Sequence, residues 1–472
     1  MKLFLPVQTF DFLFEETVSD GDYCIISREV IEDKTNLYVK AVLSGQTASE
    51  NCEIISPADD ELTLCRMLFI CMEKLTGITP SWGCLTGIRP VKKVNHLLDT
   101  GYDKQGIFDY LRQKYYVSDE KLELAYNTAV TQEKYLKELD NKSFSLYVSI
   151  PFCPSRCSYC SFVSHSIESS NAKKLLPQYV ERLCMEIEQT AEIAAEIGLN
   201  LDTIYIGGGT PTSLDSEQLE TVMKAIQKNF DISRIREYTV EAGRADTITA
   251  KKLEIIKKNG ATRISVNPQT MNDDVLKAIG RKHTAAQAAE AFRLARSIGF
   301  DNINMDTIAG LPTDTLDSFK NTIDTITELD PENITVHTLT IKRSSALYQE
   351  DEISIDKSLN EMVSYAYRTL TEKGYSPYYL YRQKNTVGNL ENVGYAKKGT
   401  ESLYNIYIME ETQTILAVGA AGSSKLVHPV TGKIERLLNY KFPYEYISRY
   451  EQMLEKKKKI KSFYNNIDQE EI

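Results

Sequence analysis

The sequence predicts an α/β protein organised around a parallel β-sheet. Between residues 143 and 345, short runs of β-branched and aromatic residues alternate with longer segments whose apolar residues recur at helical spacing. Strands that alternate with helices are joined by right-handed crossovers, which make the strands parallel. Glycine-rich or polar segments follow several of these strands, at the sheet edge where ligands bind in such folds. Periodicity alone allows either a half-closed (β/α)6 barrel or an open sheet.

Composition indicates a globular protein of more than one domain. Its 472 residues suffice for two or three domains, and its 42% apolar and 26% charged residues are typical of soluble proteins. No apolar run reaches the ~18 residues that span a bilayer, and the N-terminus lacks the apolar core of a signal peptide. We therefore expect a cytoplasmic protein without a membrane span. A net charge of −11 argues against nucleic-acid binding.

Three regions are predicted along the chain. Residues 1–138 form an N-terminal α+β module of unknown role, residues 139–345 form the α/β core, and residues 346–472 form a C-terminal domain. The elements predicted in the first region are strands Tyr23–Val30 and Thr35–Val42 and helices 61–75, 91–98, 103–115 and 118–138. The core strands are predicted at Leu146–Ile150, Thr203–Ile206, Tyr238–Glu241, Arg263–Val266, Asn302–Asp306 and Ile334–Leu339. The core helices are predicted at 173–196, 216–229, 249–258, 284–297 and 315–328.

A loop with three cysteines follows the first core strand. Cys153, Cys157 and Cys160 form a C-x3-C-x2-C pattern, and closely spaced thiolates select zinc, copper(I) or iron–sulfur clusters. A [4Fe–4S] cluster normally has a thiolate on each iron, so three cysteines leave one iron open, as catalytic metal sites require. The alternative is a structural zinc with His165 as fourth ligand, although zinc sites usually pair two short ligand groups.

The remaining cysteines indicate a reducing compartment rather than a disulfide framework. Nine cysteines are an odd number, and six of them are scattered outside the loop. We interpret these six as small buried hydrophobic residues, and they are Cys24, Cys52, Cys65, Cys71, Cys84 and Cys184.

With Tyr159 just before its last cysteine, the loop resembles that of the radical S-adenosylmethionine (SAM) enzymes. Tyr147 and the segment Ile150-Pro151-Phe152-Cys153 resemble those of oxygen-independent coproporphyrinogen III oxidases (coproporphyrinogen dehydrogenases), in a longer subgroup with an N-terminal extension. The resemblance implies a partial (β/α)6 barrel whose mouth the C-terminal domain covers. It also implies a [4Fe–4S] cluster on the three cysteines and SAM on the open iron, where the reduced cluster cleaves SAM to a 5′-deoxyadenosyl radical.

The same resemblance assigns SAM contacts at the ends of four further strands. Gly208, Gly209 and Thr210 follow the second strand and match the segment that binds the methionyl amino group. The other matching residues are Glu241, Gln269, Arg281 and Asp306, together with Tyr147 and Tyr159. Catalytic roles are assigned to Tyr147, Glu241 and Asp306. Two turns depart from the family pattern, because Ala242-Gly243 replaces Asn-Pro and Asn267-Pro268 replaces Gly-Val.

The implied activity is oxidative decarboxylation of two coproporphyrinogen III propionates to vinyl groups, which gives protoporphyrinogen IX in oxygen-independent haem biosynthesis. The implied partners are the tetrapyrrole and a low-potential electron donor such as flavodoxin or ferredoxin. The negatively charged propionates would need cationic partners, and the candidates are Lys342, Arg343, Arg382 and Lys384. The alternative for each candidate is an ordinary surface side chain.

One departure keeps other functions open. Ser149 stands where the oxidases commonly have histidine, so any role of that histidine is absent or relocated. A haem-binding chaperone on the same fold is one alternative, with His337 or His428 as a haem ligand. Another radical SAM enzyme acting on tetrapyrroles is the second.

Overall fold

The computed structural model describes residues 1, 4–5, 10–13, 21–31, 34–54, 60–162, 164–340, 358–383 and 386–465. The chain divides into two compact units, one of Met1–Tyr126 with Arg382–Glu391 and the other of Asn127–Tyr381 with Asn392–Ile472. The division into three regions by role stays a prediction. No helix in the described part of the chain is long and apolar enough to cross a membrane.

The N-terminal unit is built on a three-stranded antiparallel sheet. Its elements are β1 Tyr23–Ile31, β2 Lys34–Leu43, β3 Gln46–Ile54, α1 Asp60–Thr76, α2 Pro90–Asp99 and α3 Lys104–Tyr115, followed by α4 Asp119–Lys137. Alternate β2 residues Leu37, Val39 and Ala41 are buried in a core shared with α1. β3 was not predicted because its sequence is mostly polar. It is held by a hairpin whose turn residues Ser44 and Gly45 both have positive φ, the conformation of a type I′ turn.

The second unit contains the predicted core. Its strands are β4 Ser143–Ile150, β5 Phe152–Cys153, β6 His165–Ser166, β7 Asn200–Gly208, β8 Glu237–Gly243, β9 Arg263–Val266, β10 Ile303–Ala309, β11 Asn333–Thr338, β12 Ser376–Arg382, β13 Glu391–Ala396, β14 Thr414–Val418, β15 Ser423–Val427 and β16 Ile434–Leu438. Its helices are α5 Ser170–Glu196, α6 Ser216–Asn229, α7 Ala250–Lys258, α8 Asp273–Ala278, α9 Ala285–Ser297, α10 Leu316–Leu329, α11 Ser358–Glu372, α12 Leu403–Glu410, α13 Pro443–Ser448 and α14 Tyr450–Asn465. All six predicted core strands are present, which confirms the α/β class.

One sheet of eleven strands carries this unit. Its order is β12-β13-β11-β10-β9-β8-β7-β4-β14-β15-β16, and β4, β7, β8, β9, β10 and β11 are mutually parallel neighbours. The edge strands β12 and β16 do not pair with each other in the described chain, so hydrogen bonds do not close the sheet. Strands of the predicted C-terminal region extend it at both edges, because β14 runs parallel to β4 and β13 antiparallel to β11. The covering of the barrel mouth by that region stays a prediction.

The two faces of the central sheet differ in polarity. Val148, Ile206, Val240 and Ile264 are register neighbours across four strands, and all four are fully buried. The alternate residues Tyr147, Tyr205, Thr239 and Arg263 are also neighbours and project to the opposite face, because strand side chains alternate. The polar face is therefore where chemistry can be placed.

A segment before α12 satisfies buried polar groups at the beginnings of these strands. Ser402 Oγ and the Leu403 amide donate to the Glu237 carboxylate at 2.9 and 2.6 Å. The Thr400 carbonyl accepts from Arg263 Nη1 at 3.1 Å and from Asn333 Nδ2 at 2.9 Å. Unpaired buried polar groups are costly, so these bonds fix the segment at this end of the sheet. The predicted site residues lie towards the other strand ends.

Candidate active site

The three-cysteine loop begins in the short strand β5, which pairs with β6. Cys157 is buried, Cys153 and Cys160 are half-buried, and all three thiols are free. Burial raises the pKa of the Cys153 and Cys160 thiols, since a desolvated thiolate is disfavoured. A bound metal would add positive charge at the sulfurs and favour their thiolate form.

The glycine segment after β7 packs directly on this loop. The Gly209 amide donates to Ile150 O and the Thr210 amide to Phe152 O, both at 2.8 Å. A Cβ on Gly209 would lie 2.6 Å from Phe152 O and 3.0 Å from Cys153 Sγ, so only glycine permits this approach. Thr210 Oγ1 is 3.5 Å from Cys153 Sγ. Gly208, with φ of 111°, supplies the turn.

The donor set fits an iron–sulfur cluster better than a single metal ion. In the described residues no three His, Cys, Asp or Glu side chains converge as ligands of one ion. A [4Fe–4S] cluster instead takes each thiolate on a different iron, so its ligands need not converge. His165 Nε2 has no hydrogen-bond partner in the described part of the chain, and its ring contacts Phe152 and Phe442. Among the described residues, His165 does not converge with the three cysteines on one ion.

Several buried polar atoms between residues 267 and 281 have no hydrogen-bond partner in the described structure. They are Asn267 Oδ1, Gln269 Oε1 and Arg281 Nε. Gln269 also has a positive φ of 72°, a backbone conformation that often marks a functional site in non-glycine residues. Buried polar groups are normally paired, so these atoms indicate a polar ligand, and the amino and carboxylate groups of SAM fit them.

Arg281 and Tyr159 connect this region to the cysteine loop. Arg281 Nη2 donates to the Tyr159 hydroxyl at 2.9 Å, and Nη1 donates to Asn267 O at 3.3 Å. The guanidinium is thus oriented by the residue before Cys160. The structure brings together these two predicted SAM contacts.

Glu241 lies at the end of β8 beside the glycine segment. It accepts a short hydrogen bond from the Tyr205 hydroxyl, and its Oε2 would be 3.0 Å from a Cβ on Gly207. Burial, helped by the Asp306 charge, raises the pKa of Glu241 to about 7, although the Tyr205 hydrogen bond acts in the opposite direction. Tyr147 stacks on Tyr205 with ring centroids 6.2 Å apart. Glu241 is therefore poised to exchange a proton near neutral pH.

Asp306 differs from Glu241 in its environment. Burial alone would raise the pKa of Asp306, but His337 and the Asn304 side chain hold it below its usual value. Asn304 Nδ2 donates to Asp306 Oδ1 at 2.7 Å, and His337 Nε2 lies 3.9 Å from Oδ2, an ion-pair distance rather than a hydrogen bond. The Asp306 carbonyl also accepts the Gln269 amide at 2.9 Å. Two carboxylates with opposite pKa shifts suit different roles.

Sequence reasoning missed two groups near the site. Tyr404, from α12, stacks on Tyr205 at 4.4 Å, and no local pattern indicates this contact. Arg244 and Asp246 form an ion pair beside the cysteine loop, next to the buried His283. The departure of Ala242-Gly243 from the family pattern drew attention to this turn but not to the arginine after it.

The structure also bears on the candidate propionate cations and on His428. Arg382 is 7% exposed and donates to Leu85 O at 2.7 Å and Asn389 O at 3.1 Å, so its donors are directed at backbone rather than at propionates. Lys342, Arg343 and Lys384 lie outside the described residues. His428 Nδ1 accepts the amides of residues 430 and 431, which makes it a turn residue.

The interpretation of the scattered cysteines as buried holds for two of the six. Cys71 and Cys84 are buried, whereas Cys24, Cys52 and Cys184 are half-buried. Cys65 is exposed, because α1 directs other residues, including Met67 and Phe69, into the core.

A cysteine loop, a glycine segment and polar side chains at parallel strand ends together define a radical SAM domain. The model of the Radical SAM superfamily matches residues 147–326, so its cofactors are a [4Fe–4S] cluster and SAM. More specifically, the chain belongs to the oxygen-independent coproporphyrinogen-III oxidase-like proteins of this superfamily. It is 40% identical over 388 residues to the Bacillus subtilis oxygen-independent coproporphyrinogen-III oxidase-like protein HemZ, which covers 81% of this chain and 77% of HemZ.

Two further similarities are informative. The chain is 32% identical over 310 residues to the heme chaperone HemW of Bacillus subtilis, covering 64% of this chain and 77% of HemW. The structure of coproporphyrinogen III oxidase HemN from Escherichia coli matches with a TM-score of 0.54 at 22% identity, over 69% of this chain and 73% of that one. The last comparison shows the shared fold. The predicted family is confirmed, whereas the roles of individual site residues stay predictions.

Proposed function

We propose that this protein is a radical SAM oxidoreductase that converts propionates of coproporphyrinogen III to vinyl groups and yields protoporphyrinogen IX. The observation that carries the radical SAM part is that Gln269 Oε1 and Arg281 Nε are buried without a hydrogen-bond partner among the described residues, while Arg281 is hydrogen-bonded to Tyr159 of the cysteine loop. The tetrapyrrole substrate rests on the 40% identity to HemZ, a protein named for its likeness to coproporphyrinogen-III oxidase.

In this proposal Cys153, Cys157 and Cys160 hold the cluster, and Arg281 and Gln269 hold polar groups of SAM. When bound, cluster and SAM supply the one-electron chemistry that removes a hydrogen atom from a propionate β-carbon. The substrate then loses CO2 and one electron, which an external acceptor takes up. The nine free cysteines favour a reducing, cytoplasmic compartment, where flavodoxin or ferredoxin serves as electron donor.

The side chains of the chain itself would orient the reactants and exclude water. Tyr205 donates to Glu241 and holds its carboxylate towards the glycine segment, where it can accept a hydrogen bond from a cofactor amine or hydroxyl. The stacked rings of Tyr147, Tyr205 and Tyr404 form an apolar wall beside this carboxylate. Asp306 stays ionised next to His337 and can accept a second hydrogen bond.

A heme chaperone is the second candidate, and the 32% identity to HemW favours it. Ser149 stands where the oxygen-independent coproporphyrinogen III oxidases commonly have histidine, and its Oγ donates to Ala420 O at 2.7 Å. Ser149 therefore has a structural role. His337, on the polar face with a side chain 29% exposed, is the better haem-ligand candidate, because His428 caps a turn. Another tetrapyrrole-directed radical SAM enzyme is the third candidate.

One anaerobic experiment separates these candidates. The cluster-reconstituted chain is incubated with SAM, a low-potential reductant and coproporphyrinogen III, and 5′-deoxyadenosine and protoporphyrinogen are quantified together. Cys157→Ala should abolish both products. Cys184→Ala, a half-buried thiol on α5, is the matched control and should keep them.

Each outcome selects one candidate. Both products, lost only in Cys157→Ala, support the oxidase. Deoxyadenosine without a porphyrin product contradicts the oxidase and favours a different radical SAM substrate. Neither product, with a full iron content and stoichiometric haem binding, contradicts the oxidase and favours the chaperone.

A further inference from the structure

Arg244 lies directly behind the cysteine loop. It follows β8 and is 3% exposed. Its Nη1 donates to Ser155 Oγ at 2.8 Å and to Ser155 O at 3.2 Å, and lies 4.0 Å from Cys157 Sγ. One guanidinium nitrogen therefore contacts both the loop backbone and a cluster-ligand sulfur.

Asp246 fixes the other side of this guanidinium. Arg244 Nε and Nη2 donate to the two Asp246 carboxylate oxygens at 2.9 and 2.7 Å. Such a bidentate pair sets both the position and the plane of the arginine. His283 is buried next to the pair, with its Nδ1 3.8 Å from Asp246 Oδ1, and neither ring nitrogen has a hydrogen-bond partner among the described residues.

The charge of Arg244 bears on electron transfer to the cluster. Reduction adds one negative charge to the cluster, and reduction potentials of such clusters depend on net local charge and on hydrogen bonds to the sulfurs. A buried cation a few ångström from a ligand sulfur stabilises the reduced form, since screening is weak in the interior. The Asp246 carboxylate acts in the opposite direction, and its attraction to Arg244 limits the effect.

We propose that Arg244 is a positioning residue that raises the reduction potential of the cluster through Cys157, and that Asp246 sets the size of this increase. Outer-shell partners of metal ligands commonly tune the metal in this way. The inference deepens the proposed function, because SAM cleavage requires a reduced cluster. It rests on the cluster alone and on no particular tetrapyrrole.

Redox titration of the reconstituted full-length chain, followed by electron paramagnetic resonance without tetrapyrrole, tests the proposal. Arg244→Gln should make the cluster at least tenfold harder to reduce, a decrease of 59 mV for one electron. Asp246→Asn should shift the potential in the opposite direction. Arg244→Lys keeps the positive charge, so the equilibrium constant for reduction of its cluster should stay within about threefold of the wild-type value.

The matched control is a second bidentate ion pair, which lies at the beginnings of β7 and β8, away from the cysteine loop. Arg236 binds both oxygens of Asp202 at 2.7 Å, so Arg236→Gln should leave the potential unchanged. Unchanged potentials in both Arg244→Gln and Asp246→Asn, at full iron content, would overturn the proposal. If Arg244→Gln does not retain iron, the test rests on Asp246→Asn alone. A reduction potential of Asp246→Asn that is not higher than that of the wild type then rejects the proposal.

The same titration distinguishes this inference from the proposed function. A wild-type protein that makes no protoporphyrinogen but shows the two opposite shifts contradicts the oxidase and supports Arg244. A protein that makes protoporphyrinogen and shows neither shift supports the oxidase and rejects Arg244 as a tuning residue.

Discussion

Arg281 donates a hydrogen bond from Nη2 to the Tyr159 hydroxyl at 2.9 Å, which joins the loop after α8 to the cysteine loop. The two residues are 122 positions apart in the chain. Arg281 Nε remains buried without a partner in the described structure. The bond therefore orients the guanidinium that we propose as a SAM contact.

Tyr159→Phe tests this relationship. Losing a hydrogen bond to a charged group costs about 1.5 kcal/mol, and Arg281 becomes less well oriented, so we expect SAM affinity to fall about tenfold. Equilibrium dialysis with labelled SAM measures it on the reconstituted protein. The matched control is Tyr102→Phe, since Tyr102 is 44% exposed in the N-terminal unit. Equal affinity in wild type and Tyr159→Phe would show that Arg281 does not bind SAM through this geometry.

Gly209→Ala should reduce cluster assembly. The new Cβ would lie 2.6 Å from Phe152 O and 2.9 Å from Phe152 N, both backbone atoms that cannot move without displacing Cys153. We expect iron and sulfide contents per chain to fall at least twofold after reconstitution. Gly106→Ala is the control, because the nearest atoms to its Cβ would be side-chain atoms of Asp103 and Tyr102, which can move. Wild-type iron content in Gly209→Ala would contradict the role assigned to this close approach.

The central strands were predictable because each contains a local run of apolar residues that must be buried. Val148, Ile206, Val240 and Ile264 occupy one register across the sheet, and each belongs to an apolar run between helical segments. The sequence did not predict β14, because this strand is defined by its pairing with β4, in which Val418 is the register neighbour of Val148. The two strands are too far apart in the chain for a local sequence pattern to indicate the pairing.

The site was predictable where motif residues follow strand ends and not where contacts are distant. Cys153, Thr210 and Glu241 each end or follow a strand, and the parallel order brings them together. Arg244 meets Ser155 across 89 positions, and Tyr404 meets Tyr205 from beyond the predicted core. Neither arginine nor tyrosine carries a local signal for such a partner, so only the folded chain reveals them.

Glu241 should make stability depend on pH. Burial raises its pKa from 4.5 to about 7, so between these values the folded state holds a proton that the unfolded state has lost. Because the folded state binds more protons there, this contribution to stability falls as pH rises from about 4.5 to about 7 and then levels off. Glu241→Gln removes the effect, and we expect it to gain on the order of 2–3 kcal/mol at pH 8 relative to pH 5.

Urea unfolding at the two pH values measures this gain. Glu361→Gln is the control, since Glu361 is an exposed partner of Arg368 and should show no comparable difference. If Glu241→Gln changed the free energy of unfolding equally at pH 5 and pH 8, the carboxyl would have an ordinary pKa in the folded protein.

Ser149→Ala should destabilise the folded protein even when no cofactor is bound. Ser149 is fully buried, and its hydroxyl donates to Ala420 O at 2.7 Å. Removing the donor leaves a buried carbonyl unpaired at a cost of about 1–3 kcal/mol. Thermal or urea unfolding of the apoprotein measures the loss. Ser448→Ala, at an exposed helix end, should cost much less, and equal stability of the two variants would contradict the structural role of Ser149.

Removal of the cluster should change which cysteines react with iodoacetamide. Metal-bound thiolates are protected, so in the reconstituted protein we expect Cys65, which is exposed, to react while the three loop cysteines do not. After chelation of the iron, the half-buried Cys153 and Cys160 should become labelled, and the buried Cys157 more slowly. Mass spectrometry of peptides gives each extent, and Cys65 serves as the internal control because its labelling should not change. His165→Ala should keep the iron and the same protection pattern. Loss of bound metal in that variant would instead indicate a mononuclear site with His165 as the fourth ligand.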